Sequence, residues 1–356
     1  MYPDQFRELF LALFAKRSCS NFRESILLKL NKNIKLILNY FIGPLLFCVL
    51  VYSIFRQLQR QPDWKLSLQQ VLQSFNTQAV TTVIIVIALM FLNWGIEARK
   101  WQLAIRTVQN IAFGKAFKAI FTGTTLAFFT PNRMGEYMGR ILYINKGKRI
   151  YAISLTIVCS MAQLLVTLSA GMVGLSYLSA PMISSSEYTA TRSWISLSMF
   201  LIGLITLLLA MLYFRLGWIT KLVARTRGIN KYVAYIRVLD NFNATILLRI
   251  LSLCLLRYSV FVLQYFLLFR VFNVEINWWQ TFWSVSVVFL ILAIIPSIAL
   301  LTELGVRWKA SIELVALFSS NITGILATSL AIWIINLVIP ALIGSLLILG
   351  IKFFKK

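Results

Sequence analysis

The sequence predicts an all-α polytopic membrane protein, with about six full transmembrane helices plus two re-entrant helical hairpins in an inverted repeat. Three observations predict it. The 356 residues are 59% hydrophobic and only 13% charged, where a soluble domain is nearer half apolar and a quarter charged. Mean hydropathy is +0.80, and apolar runs long enough to cross a bilayer recur along the chain. The 35 Lys+Arg against 11 Asp+Glu, net +24, gather in short loops between those runs, as loops on the cytoplasmic side do.

Residues 1–33 predict an interfacial helix. Phe6, Leu9, Phe10, Leu13 and Phe14 make one apolar stripe, with Arg7, Lys16, Arg17 and Arg23 beside or beyond it. A plain packing helix fits the same spacing. Residues 34–350 form one transmembrane domain, with half-repeats at about 34–179 and 193–350, and residues 351–356 are a basic cytoplasmic tail.

The first span runs from about Leu36 to Phe55 and the second from about Ala79 to Gly95. After it, a loop to Lys118 carries Arg99, Lys100, Arg106, Lys115 and Lys118. The apolar run Ala119 to Phe129 is too short to cross. It stops at Pro131, and a second half-helix with Arg133, Gly135, Glu136 and Arg140 leads to about Asn145. Both flanks are basic, so the segment is expected to enter and leave on one side.

The third span covers about Tyr151 to Leu178, and Ser179 to Ser193 is the midpoint. A fourth span, about Trp194 to Phe214, precedes a connector with Arg215, Lys221, Arg225, Arg227, Lys231 and Arg237. The fifth, about Ala244 to Phe269, carries Arg249 towards its cytoplasmic end and Arg257 near its centre. A second broken element, roughly Trp279 to Ser320, stops at Pro296 and resumes with Glu303, Gly305 and Arg307. The last span is about Ile322 to Leu349.

Only Arg56, Arg60, Lys65, Arg192 and Arg270 fall on the opposite side if both broken elements return to the face they left. Each half then reads span, span, hairpin, span, and its three crossings put the second half upside down relative to the first. Ten ordinary crossings joined by tight loops are the competing topology.

Charges within the hydrocarbon need partners or water, which makes Arg133, Glu136, Arg140, Arg257, Glu303 and Arg307 the candidate substrate-binding residues. An arginine fork suits a phosphodiester, and a glutamate can orient the arginine or accept an ammonium. Glu136 with Arg140, and Glu303 with Arg307, are also spaced for simple i,i+4 pairing. Gly135 and Gly305 permit close approach beside the breaks at Pro131 and Pro296. Asn93, Gln163, Gln264 and Asn336 are polar positions in spans suited to interhelical hydrogen bonds, and Trp94, Trp101, Trp194, Trp278, Trp279 and Trp283 suit an aromatic belt.

The chain has no histidine, so the commonest general base and metal ligand are missing, and no metal or other cofactor is expected. Cys19, Cys48, Cys159 and Cys254 are scattered singly and read as small core residues. No basic helix or aromatic-basic platform stands clear of the spans, so the expected partner is membrane lipid and not nucleic acid. A homo-oligomer is compatible with all of this.

At the two breaks the sequence resembles the lysylphosphatidylglycerol synthase transmembrane family, a flippase-like domain that forms the membrane half of bacterial multiple-peptide-resistance proteins. Pro131, Gly135, Glu136 and Arg140 match its Pro-x-x-x-Gly-Glu signature with following Arg, and Asn93 to Trp101 is similar to its polar span end. Pro296 through Glu303-Leu304-Gly305-Val306-Arg307 resembles the second signature, although the glycines usual between Pro and Glu are replaced by Ser-Ile-Ala-Leu-Leu-Thr. The resemblance implies movement or binding of a phospholipid or other charged lipid headgroup in the bacterial inner membrane, with both termini cytoplasmic. The chain ends at Lys356, so no tRNA-dependent aminoacylation is implied. The protein is thus expected to be transporter-like rather than an enzyme. The alternative is a membrane enzyme or accessory subunit acting on a lipid-linked substrate.

Overall fold

The computed structural model describes Tyr52, Gln69, Thr130 and Leu239, and residues 77–128, 133–184, 189–217, 242–295 and 300–349. The N-terminal helix, the first span apart from Tyr52, most of the connector, Pro131, Pro296 and the basic tail lie outside the described residues.

Among the described residues the chain is helices joined by short turns, with no strand. α1 is Thr77–Ile105, α2 Phe113–Phe128, α3 Gly135–Ile141, α4 Arg149–Ser184, α5 Thr189–Phe214, α6 Ala244–Val271, α7 Trp278–Ile294, α8 Leu300–Val315, α9 Ile322–Trp333 and α10 Ile339–Leu349. A five-residue π-helix, Ile334–Val338, joins α9 to α10, so these run on as one element. Its cause is local. Pro340 has no N–H to give the Asn336 carbonyl, and the ladder widens so that the Ile339 N–H reaches back to the Ile334 carbonyl.

Among the described residues, five stretches are long and apolar enough to cross a membrane: Gln78–Ile105, Lys146–Ser179, Ser196–Phe214, Ala244–Val271 and Ile322–Ile348. They are the second to sixth predicted spans. The arms of the two broken elements do not reach that length, α7 stopping at 17 residues and α3 at 7.

Several sequence expectations are corrected here. α1 does not stop near Gly95 but runs to Ile105, because Glu97 and Lys100 find partners inside the bundle instead of water. Lys100 is fully buried and so leaves the cytoplasmic loop to which its charge had assigned it. Trp94 and Trp101 are buried core residues, not members of an interfacial belt; Trp101 donates its indole N–H to the Thr156 hydroxyl on α4. Trp279 is exposed, as a belt requires. At the midpoint, α4 continues through Ser179 to Ser184.

α1 lies against α6, α2 against α10 and α7 against α4, so the arm before each break packs on a helix distant in sequence. On α2, Thr125 donates to the Ala341 carbonyl of α10 at 2.7 Å. Small residues also set the α2–α3 hairpin, where a Cβ on Gly139 would overlap the backbone of Gly123 and Thr122, and one on Gly135 the Leu126 carbonyl. Glycine is needed at both because backbone meets backbone.

Candidate functional site

The turn of the first hairpin is built by Thr130 and Arg133. The Thr130 hydroxyl accepts the Gly135 N–H at 2.6 Å and so opens α3. Arg133 adopts φ 57°, a left-handed conformation that costs a non-glycine residue of order 1–3 kcal/mol and clusters at ligand sites. Its guanidinium meets Glu136 at 2.8 Å.

From there an ionic network crosses three helices. Arg140 bonds Glu136 at 3.2 Å and Glu97 of α1 at 3.1 Å. Glu97 also takes Lys100 at 2.6 Å and Arg257 of α6 at 3.3 Å. Arg257 donates through Nε to Asn93 at 2.7 Å and through Nη1 to Gln163 of α4 at 3.4 Å. Its guanidinium also lies 5.2 Å from the Trp94 ring and 5.3 Å from the Phe261 ring. Such a group is fixed in plane and position by both charge and aromatic faces.

The second hairpin carries its own pair. Arg307 bonds Glu303 at 2.7 Å, one helical turn earlier, and the Tyr265 hydroxyl of α6 at 2.8 Å. The apolar flank of this hairpin joins the first. Phe128, Leu304, Trp308 and Trp333 belong to one buried cluster.

These parts border one partly open cavity of about 260 Å³, lined by Arg133 from the first break, Arg257 from α6 and Glu303 with Arg307 from the second. Trp94, Phe261, Phe289 and Trp333 add aromatic wall, and Asn336 stands there on the π-helix. The cavity reaches Ile295, an exposed apolar residue at the end of α7.

Over the whole cluster, Lys100, Arg133, Arg140, Arg257 and Arg307 face Glu97, Glu136 and Glu303, an excess of two positive charges. No group of three or more His, Cys, Asp or Glu suited to a metal exists among the described residues.

A comparison of the chain with protein-family models matches the lysylphosphatidylglycerol synthase TM region over residues 40–344. The chain belongs to that family. Membership makes it a multi-pass membrane protein with a lipid-related function. No curated protein matches it.

Within this family member, Arg133, Arg257, Glu303 and Arg307 meet at the cavity, whereas Glu136 and Arg140 stand behind Arg133. Both expected i,i+4 pairs are present. Gly135 closes the first hairpin, and Gly305 sits within α8. Asn93, Gln163 and Gln264 make interhelical bonds, the last to the Val86 carbonyl. Arg249 is exposed, in keeping with a snorkelling side chain.

Sequence reasoning left Glu97 out of the site. The available signal was Asn93 and Glu97 at i,i+4 with Lys100 at i+7, a polar stripe inside an apolar helix.

Proposed function

We propose that the protein is a lipid flippase-like transporter, which binds or moves a charged lipid headgroup at the cavity shared by its two broken helices. One observation carries this reading: charged residues of both breaks and the mid-span Arg257 line a single cavity inside a bundle of membrane-crossing helices. Arginines with an excess positive charge suit a phosphodiester. Contact with the exposed Ile295 gives acyl tails a way to stay in lipid while the headgroup enters.

The packing of α2 on α10 and of α7 on α4 supports an inverted repeat, in which α2–α3 and α7–α8 re-enter from opposite faces. With the span outside the described residues, this gives six crossings and two hairpins. The cytoplasmic face is the one bearing the basic loops, which suits a bacterial inner membrane with both termini inside. In this reading Arg133, Arg257 and Arg307 contact phosphate, Arg140 and Glu136 hold Arg133, and Glu303 orients Arg307.

Reconstitution in vesicles with a fluorescent short-chain phospholipid tests it. Arg257→Gln should abolish headgroup movement while folded protein is retained; movement at the unsubstituted rate would refute the site.

A further inference from the structure

At the hub of the ionic network one carboxylate meets three cations. Glu97 takes Arg140 on Oε1 at 3.1 Å, and on Oε2 both Lys100 at 2.6 Å and Arg257 at 3.3 Å. Arg257 alone would neutralise Glu97, and Arg140 has Glu136 as well. Lys100 is only 2% exposed, so a further cation is buried where charge balance asks for none. Burying an ammonium disfavours folding, and a charge held inside a span is functional by default.

The two pairs on Oε2 are unequal. Lys100 sits at the length of a charge-assisted hydrogen bond, while Arg257 stands further off. Arg257 is anchored mainly by neutral groups. Asn93 Oδ1 accepts from its Nε at 2.7 Å, and the Trp94 and Phe261 rings lie beside the guanidinium. Gln163 adds a long bond to Nη1, and Nη2 has no partner among the described residues. Amides and rings fix the fork without cancelling its charge, whereas a carboxylate at contact cancels it. Arg257 lines the cavity; Lys100 and Glu97 do not.

We infer that Lys100 is a positioning residue for the headgroup site. By occupying the Glu97 carboxylate it keeps Arg257 from closing on that carboxylate, and so leaves the mid-span arginine an uncompensated cation at the cavity. The inference rests on the headgroup-site reading above and names the pair that sets the charge of its central arginine.

The test measures binding of radiolabelled dihexanoyl phosphatidylglycerol to the full chain in phosphatidylcholine nanodiscs, with thermal unfolding of each variant alongside. Lys100→Met removes the cation and keeps the bulk. Glu97 then draws in Arg257, and binding should weaken about tenfold, the scale of one hydrogen bond to a charged group. Adding Glu97→Gln removes the competing carboxylate, so the double variant should regain the lost binding, with Arg140 still held by Glu136. A lysine with a structural role alone gives the opposite order, the double variant binding no better than Lys100→Met.

Asn93→Asp reaches the same end from the other side of the guanidinium and keeps the side-chain shape. Its carboxylate at Arg257 Nε enters a cluster with excess positive charge. The unfolding temperature should therefore hold or rise while binding falls about tenfold. This variant decides the matter should Lys100→Met not fold.

Parental binding in Asn93→Asp overturns the inference, as does a double variant as weak as Lys100→Met. Failure of the headgroup site itself looks different: Arg257→Gln would bind the probe normally. Loss of binding in Arg257→Gln, with Lys100→Met and Asn93→Asp both at the parental level, sinks the inference and spares the site.

Discussion

In the α2–α3 hairpin charge is shared outward, Arg140 reaching Glu97 on α1, which in turn holds Lys100 and Arg257 of α6. In the α7–α8 hairpin Glu303 and Arg307 neutralise each other within one helical turn, and Tyr265 adds a single bond from α6. Backbone packing differs too. The first hairpin is closed by Gly123, Gly135 and Gly139 at backbone contact, whereas α8 is a full 16-residue helix. One charged site therefore has a braced wall and a self-contained wall. Substitutions on the first should cost folding, and substitutions on the second should cost function with folding spared.

The largest expected effect is at the hub. Glu97→Gln leaves Lys100, Arg140 and Arg257 buried without their common anion and should destabilise the protein by about 3–5 kcal/mol, measured by thermal unfolding in detergent. Pairing it with Lys100→Met should restore part of that loss; no restoration would show that Glu97 acts through Arg140 and Arg257 alone.

Next is the glycine contact. Gly139→Val forces a side chain against the Gly123 backbone and should cost about 1–3 kcal/mol, visible as a lowered unfolding temperature, while a larger substitution at the exposed Met138 should not.

Removing both members of the second pair, Glu303→Gln with Arg307→Gln, leaves no orphan charge and should change stability by within about 1 kcal/mol. The same double variant should lose headgroup movement in vesicles. Parallel loss of stability and movement would erase the difference between the hairpins. The smallest effect is expected at Arg249→Gln on the exposed face of α6, within about 0.5 kcal/mol and with movement intact.

Much of this was legible in the sequence because membrane insertion is strict about charge. An arginine at mid-span such as Arg257 must have a partner, and Glu136 with Arg140 or Glu303 with Arg307 announce themselves by spacing. The spans followed from apolar length, and α6 and the α9–α10 element fall within a few residues of expectation.

Glu97 and Lys100 were harder. A charged Glu-Ala-Arg-Lys run at the end of an apolar stretch reads as a loop, and only the carboxylate and cations gathered from three helices keep it inside. Trp94 and Trp101 misled for a related reason: tryptophan suits both an interface and a core, and tertiary packing decides. The π-helix needed Pro340 to be read together with Asn336, a local conflict that periodicity conceals.

An electron cryo-microscopy map of the protein in lipid nanodiscs tests the shared headgroup site most directly. Phosphate density within hydrogen-bond reach of Arg257, between Arg133 and Arg307, is the expected result. Headgroup density confined to the outer apolar faces, with the arginines closed on their own carboxylates, would contradict it.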